Sequence, residues 1–533
     1  MDLDRLKKAV LCNDNQECLL LEGRFRCATR DCSCTEEKRF DTILDLYAFL
    51  FGLLDNVNYI DYETLAWNGD APIRAKRDAL EAKWKAHLRL ADHSYRSRAY
   101  CDLEEGTRSL LLAEIADAQS SEELLIALTV FLFVLDGHLE SLRTEYQTYL
   151  DDEQLPIATL CGDLLYRRDS ELLRALQTLE CYEPLLDPNY LLLRRKVRSF
   201  YVVRSRYSYY QVTHRYAPTP QYDGTNALDL KFGFLPGQFD VSKDYRIHTS
   251  GELTGDGLLP FYFSGVNDPE MYYGILLEDF RQLLGEKPHF LILPELSTPP
   301  ELREELIKVF RTLSPGKAGS ADGAPIFFMT GSFHERVGDN LYNLAKVVAG
   351  SGKILLEVTK MNRFIFPANP DYKGELARFA QVSGVEQNAY DRREVTFFET
   401  KLGRIAFFIC VDFINYNVEE VLLDRQVDLI FIMSMTGRPA SGKFVRRMQD
   451  LAERNGCLVV LCNNLGEPYR GEKPDDKQPR AVVSVPGFKE VFRSKQPVLA
   501  ITLREIIEVI KPKPKPESEQ HPGPEPEPEG PRD

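Results

Sequence analysis

Three apolar runs in this chain each end in an ionisable residue: "HFLILPELS" carries Glu295, "GKILLEVTKMNRF" carries Lys360 and "RIAFFICVDF" carries Cys410 with Asp412 two positions on. A thiol that attacks a carbonyl needs a base to take its proton and a cation or N–H donors for the developing oxyanion. Glutamate, lysine and cysteine supply those roles without a histidine. Burying an ionisable group is costly unless it is paired, so three such residues at the ends of apolar runs point to one shared polar site. Each residue also has a plainer reading. A lone Cys410 would be a packed thiol by default, because cysteine is among the most buried residue types. Cys457 and Cys462, which flank "LVVL", keep that reading, and His334 in "GSFHER" reads as a satisfied histidine and not as the partner of a Cys–His dyad.

The runs must be positioned by a scaffold, and the texture of the chain says which kind. From about residue 228 onward, short apolar runs such as "APIFFMTGS", "DLIFIMS" and "CLVVLCNN" alternate with helical patterns such as "PPELREELIKVFRTL" and "RRMQDLAERNG". Alternation of this kind predicts a layered α/β domain, and in such folds ligands sit where strand ends meet loops. Residues 1–215 read as a mainly helical N-terminal domain, a sensor or oligomerisation unit. Leu80, Trp84 and Leu88 repeat on one helical face, and Ser120 and Glu123 stand in capping-box spacing before the run "LLIALTVFLFVL". "YAPTPQYDGTNA" (216–227) is turn-rich and marks the expected boundary, so the α/β domain is placed at 228–508. The Pro/Glu-rich segment 511–533 is of a composition that cannot bury enough surface to fold, and is expected to be a disordered tail.

The order Glu–Lys–Cys and its surroundings resemble the carbon–nitrogen hydrolases of the nitrilase superfamily. "MTGSFHERVGDNLYNLAKVVAGSGKILLEVTK" looks like the family's Gly-Ser strand, its Tyr-Asn strand, its hairpin and its lysine strand. "LGRIAFFICVDF" looks like the nucleophile strand, and "VDLIFIMSM" and "RRMQDLAERNGCLVVLCNNLG" look like the two units that follow. The resemblance covers about 230–505 and implies an α-β-β-α sandwich. It implies Cys410 as the nucleophile of a thioester pathway, Glu295 as general base, and Lys360 with the backbone N–H of Val411 at the oxyanion. "GELARFAQVSG" resembles the segment that carries an additional glutamate, which makes that residue Glu375, with Glu386 as its rival because the stretch between Lys360 and Cys410 is long. Asp412 then supports the loop after the nucleophile, and Cys-x-Asp resembles the amidase and carbamoylase branches more than the nitrilases. "LDLKFGFLPGQFDV" and "PFYFSGVND" both fit the family's opening strand, so one is an extra element.

The implied activity is hydrolysis of a small-molecule amide or carbamoyl compound, with no cofactor and no metal, by a homodimer or larger homo-oligomer. The rival is a sensor, effector or non-catalytic binding module in which the helical domain recognises a partner. A net charge of −15 argues against a nucleic-acid protein overall. The run 191–216 interleaves Arg and Lys with Tyr and Phe, a pattern that can grip single strands, but a solvated helix face is the reading preferred. Cys12, Cys18, Cys27, Cys32 and Cys34 cluster without a CxxC pair, so reduced thiols are favoured over a metal site. The longest apolar run is shorter than the roughly 20 residues of a membrane span. With no secretory signal at its start, the chain is expected to be cytoplasmic.

Overall fold

The computed structural model describes residues 43–56, 75, 78–84, 105–149, 157–159, 162–166, 170–179, 181, 200–203, 210–216, 227–237, 240–313, 325–400, 402–436, 442–464 and 479–512. The N-terminal cysteine cluster and nearly all of the expected tail lie outside these residues.

Two sheets packed face to face carry the molecule's main core. The first has six strands in the order β11-β10-β9-β8-β5-β20, and the second seven, β19-β18-β17-β16-β15-β14-β4, with β19 spanning Phe492–Ser494. In the first, β5 (Lys231–Phe234), β8 (Phe290–Ile292) and β9 (Phe327–Val337) run parallel, while β10 (Asn340–Ala349) and β11 (Ile354–Thr359) continue as an antiparallel meander. In the second, β15 (Gly403–Ile409), β16 (Leu429–Ser434) and β17 (Leu458–Asn463) are parallel and buried throughout.

Both faces of each sheet are covered, which is why these strands read as continuous apolar runs and not as alternating ones. Successive side chains on a strand point to opposite layers, and β9 shows the consequence. Phe327 packs inward against Phe398 and Phe407 of the other sheet, at 6.0 and 5.9 Å between ring centres. Its neighbour Phe328 packs outward on Phe280 and Phe310, at 5.0 and 5.1 Å. Those two rings belong to α5 (Pro269–Gly285) and α6 (Pro300–Leu313), which cover the first sheet. On the second sheet α7 (Tyr416–Asp424) lies beside α8 (Lys443–Asn455), and α8 packs on β17 and on β18 (Ala481–Ser484). The layering is α-β-β-α, as expected for this half of the chain. The chain closes with β20 (Leu499–Thr502), antiparallel to β5, and α9 (Leu503–Ile510), whose N-terminus is held by the Thr502–Glu505 capping box.

A smaller sheet of order β12-β13-β7-β6 stands apart from these two. It joins β6 (Tyr245–Thr249) and β7 (Leu259–Val266) to β12 (Ile365–Phe366) and β13 (Gly384–Glu386). The ambiguity over the opening strand is thereby settled: "LDLKFGF" supplies β5 of the main sheet, and "PFYFSGV" is the extra element.

The N-terminal region is less purely helical than its pattern suggests. Helices α1 (Ile43–Asn56), α2 (Glu105–Asp117) and α3 (Ser121–Tyr149) are there, and the apolar run of α3 is almost wholly buried. Trp84 stacks on Phe131 of α3 with 3.8 Å between ring centres. The Ser120 hydroxyl accepts from the Glu123 N–H at 3.1 Å, while the Glu123 carboxylate takes the N–H of Gln119. Among the described residues no helix is long and apolar enough to cross a membrane.

Strands are present as well. β1 (Ile157–Thr159), β2 (Gly162–Tyr166) and β3 (Phe200–Val203) form a three-stranded antiparallel sheet, and β4 (Gln211–Tyr216) is the edge strand of the seven-stranded sheet, parallel to β14 (Glu394–Thr400). "FYVV" and "QVTHRY" are rich in β-branched and aromatic residues, which fit a pleated, half-buried surface. The described part of 191–216 is therefore strand, and not the helix face that was expected. The boundary drawn at 215 is corrected too, since it cuts a strand that belongs to the sandwich. The Ser170 hydroxyl, capping the short helix α4 (Glu171–Gln177), donates to Leu402 O at 2.8 Å and fastens the same region to the turn before β15.

Candidate active site

The sequence places an ionisable residue at the end of β8, β11 and β15, and the fold brings those three ends to one pocket. It is lined in part by Glu295, Lys360, Glu386 and Cys410, and opens to solvent, with about 340 Å³ of atom-free space including that opening.

Cys410 follows β15 directly and opens a single 3-10 turn over Cys410–Asp412, with Val411 half-buried beside it. Its φ is +47°, a left-handed conformation that costs a residue with a Cβ on the order of 1–3 kcal/mol and persists only where the surroundings over-determine it. The turn swings the thiol out of the strand direction towards the pocket. Leu296, immediately after Glu295, is also left-handed at +55°. A Cβ at Gly331 would lie 2.4 Å from Ser297 Oγ and 2.7 Å from Pro294 O, so only glycine lets β9 pass this close to the Glu295 turn.

Lys360 is the hub. Its Nζ donates to Glu295 Oε1 at 2.7 Å and to Glu386 Oε2 at 2.6 Å, with all three side chains buried. Burial alone would lower the ammonium's pKa, but the two carboxylates outweigh it and hold Lys360 well above its ordinary value, so it is a permanent cation. Glu386 answers in kind. Burial pushes its carboxyl up, yet Lys360 and then His334 overcome that and bring it down to about 2.

Two further residues tie the carboxylates together. The Asn343 side-chain amide, from β10, donates to Glu295 Oε1 and to Glu386 Oε1, both at 3.0 Å. His334, from β9, accepts at Nδ1 from the Phe263 N–H and brings Nε2 to 3.1 Å from Glu386 Oε1. His334 is thus a buried partner of a carboxylate and not of the thiol, and neither it nor Asn343 was singled out for the site by sequence. Asn343 stands inside the quoted "YNLAKVV", where a buried amide in an apolar strand was the available signal.

Around Cys410, burial and the Glu295 charge raise the thiol well above its usual value, and Lys360, the Met435 N–H and the Ser434 hydroxyl offset this only in part. The thiol is thereby held in its neutral form. Glu295 is held at both oxygens: Met435 N donates to its Oε2 at 3.2 Å, and Lys360 Nζ and Asn343 Nδ2 donate to its Oε1 at 2.7 and 3.0 Å.

Asp412 ties two loops together. Its carboxylate accepts from Met361 N, Asn362 N and Asn362 Nδ2, each at 2.8 Å, locking the loop after Lys360 to the turn after Cys410. Burial lifts its carboxyl to about 7 against the downward pull of those N–H donors. Asn362 also donates to the hydroxyl of Tyr210 at 3.3 Å, so the N-terminal part of the chain reaches this lock through the residue before β4.

Glu375 is not in the site. It lies in a 3-10 turn (Gly374–Phe379), pairs with Arg378 at 2.8 Å and accepts from Ile247 N of β6 at 3.1 Å. A partly exposed carboxylate satisfied by its own turn cannot also tune a buried lysine, and the second glutamate beside Lys360 is Glu386. Glu386→Gln is therefore expected to cut turnover by about 10²-fold or more, on the scale of losing one preorganised charge. Glu375→Gln should stay within about threefold of wild type, as surface substitutions away from such features do. Steady-state rates of the two variants side by side decide this, and equal losses would sink the assignment. No metal-binding cluster occurs among the described residues.

No family model and no curated protein matches the chain. Among solved structures it is similar to an amidase from Nesterenkonia sp., at 12% identity over 53% of this chain and 94% of that one, with a TM-score of 0.33. It is similar also to a CN-hydrolase superfamily protein from Xanthomonas campestris that holds an arsenic adduct in its active site (17% identity, 51% of this chain, 90% of that one, TM-score 0.32). A third is the glutamine-dependent NAD+ synthetase from Acinetobacter baumannii (18% identity, 51% of this chain, TM-score 0.31), of which it spans 45%.

Proposed function

We propose that this protein hydrolyses a non-peptide carbon–nitrogen bond of amide or carbamoyl type through a thioester on Cys410. The observation that carries the reading is a buried thiol, held in a left-handed turn at a strand end, sharing one pocket with a lysine that is ion-paired to two glutamates.

The chemistry follows from the roles each group can fill. Sγ of Cys410 attacks the substrate carbonyl carbon while its proton passes to Glu295, which avoids forming a free thiolate in a site that raises the thiol's pKa. Negative charge develops on the former carbonyl oxygen, where the Lys360 ammonium and the Val411 N–H stabilise it. Collapse of the tetrahedral intermediate breaks the C–N bond, and Glu295 returns the proton to the departing nitrogen. A water molecule, deprotonated by Glu295, then attacks the thioester, and the C–S bond breaks to release the acid and restore the thiol. Glu386, Asn343 and His334 keep the lysine and the base in register.

The test is intact mass spectrometry after exposure to a panel of amides, carbamoyl compounds and nitriles. An acyl adduct on Cys410 that accumulates in Glu295→Gln, where the deacylating base is gone, is the expected result. No adduct and no ammonia across the panel would sink the hydrolase reading in favour of a binding module.

A further inference from the structure

The hairpin that brings Asn343 and Lys360 together is held open at its far end by a third side chain. Leu344 of β10 lies opposite Thr359 of β11, so Asn343 and Lys360 form the next pair of that ladder. Facing residues of an antiparallel pair share one face of the sheet, and these two both reach Glu295 Oε1 and Glu386. Lys360 N donates to Asn343 O at 2.9 Å, as in a hydrogen-bonded pair, which ordinarily exchanges two such bonds. The return bond is replaced. Asn343 N donates to Asn388 Oδ1 at 2.9 Å, and Asn388 Nδ2 donates to Lys360 O at 2.6 Å. The amide thus stands between the two main chains where one backbone bond would join them. Its orientation is fixed, because a backbone N–H has to meet the oxygen and a carbonyl has to meet the NH2 group.

Asn388 comes two residues after Glu386, on the segment that leaves β13. That segment has anchors of its own on β10. Ala389 N donates to Leu341 O at 2.7 Å, and the Tyr342 hydroxyl donates to Asp391 Oδ2 at 3.0 Å. It does not depend on the Asn388 amide to stay in place. The amide instead grips the main chain of the two residues whose side chains hold both carboxylates.

We propose that Asn388 is a positioning residue, whose amide wedges the open end of the β10–β11 hairpin and so sets where the Lys360 ammonium stands between Glu295 and Glu386. Without it, Asn343 N and Lys360 O can close on each other. That makes a ladder bond in place of the two lost bonds, and draws Lys360 off its position. Asn388→Ala is therefore expected to fold normally and work badly. The inference rests on the hydrolase reading for its effect on turnover but not for its effect on the thiol, and the experiment separates the two.

Urea unfolding of Asn388→Ala should keep its midpoint within about 0.5 M of wild type. Its kcat for butanamide should fall about 10²-fold, the scale of a misplacement of about 1 Å, with KM little changed. Alkylation of Cys410 by iodoacetamide at pH 8, followed by peptide mass spectrometry, should slow about tenfold, the effect of one pKa unit on the thiolate population. Asn388→Asp keeps the acceptor but regains the donor only when its carboxyl is protonated, so its kcat relative to wild type should rise as pH falls from 8 to 5.5. Wild-type kcat and alkylation rate in Asn388→Ala overturn the inference, as does a loss of kcat matched by a loss of folded protein. A pH-independent ratio for Asn388→Asp overturns it too. Where wild type turns over no butanamide, the hydrolase reading loses that support, and the alkylation rates decide this inference alone: slower in Asn388→Ala supports it, equal overturns it.

Discussion

If the proposed thioester chemistry holds, Cys410→Ala is expected to lower amide turnover by about 10⁴-fold or more, the scale on which covalent enzymes respond to loss of the nucleophile. The same substitution leaves the fold standing. Alanine keeps the Cβ and the left-handed turn, and removes one sulfur that accepts a weak hydrogen bond from Ser434 Oγ at 3.7 Å. Cys410→Ser is expected to be nearly as poor, because a hydroxyl is a far weaker acid and nucleophile than a thiol and the proposed base, Glu295, is only a carboxylate. Rates and thermal unfolding measured together decide the matter. A Cys410→Ala protein that keeps more than about a tenth of wild-type turnover is incompatible with thioester chemistry on the scale just given. One that fails to fold says the thiol is core, the reading a lone cysteine begins with.

Much of the site was legible because its chemistry interrupts an otherwise apolar pattern. A glutamate, a lysine and a cysteine at the ends of three strand-like runs are costly unless they meet, and in the fold they line one pocket. The second glutamate was not legible in the same way. Glu375 and Glu386 both follow short mixed segments, and what separates them is tertiary. β13 is only three residues long, and it is fixed by pairing in parallel with β7, Gly384 opposite Leu259, more than a hundred residues upstream. No local periodicity carries that information.

The N-terminal boundary failed for a related reason. The turn-rich stretch 216–227 is a break in composition, but the strand before it completes the seven-stranded sheet, and its placement depends on a parallel partner far along the chain. Tyr210 illustrates the consequence. Its sequence context is a basic, aromatic run, yet its hydroxyl accepts from Asn362 in the lock behind the thiol. Tyr210 is buried in the core between the two sheets, and on the strand that follows it His214 stacks on Phe397 at 5.3 Å between ring centres.

Lys360→Met is expected to damage stability and activity together, which sets it apart from the nucleophile variant. Methionine fills much of the same volume, so the loss is electrostatic. Two buried carboxylates 2.7 and 2.6 Å from the ammonium would lose their cationic partner. Removing one partner of a buried ion pair costs about 3–5 kcal/mol. The sign of the pH dependence is diagnostic. In the wild type, Glu386 has a depressed pKa of about 2, so its contribution is complete above the ordinary carboxylate range and disappears as pH falls from about 4.5 towards 2. Without Lys360, burial becomes the dominant influence and the pKa moves up, so the folded variant holds a proton that the unfolded chain has released. Its stability must then fall as pH rises from about 5 to 8, the reverse of the wild-type trend at lower pH. Denaturant unfolding at pH 5.5 and pH 8 measures this, and adding Glu386→Gln to Lys360→Met should recover part of the loss at pH 8, because one stranded charge is gone. A Lys360→Met protein as stable as wild type at pH 8 means that the ammonium does not bear the two carboxylates, and the arrangement proposed for the chemistry fails with it.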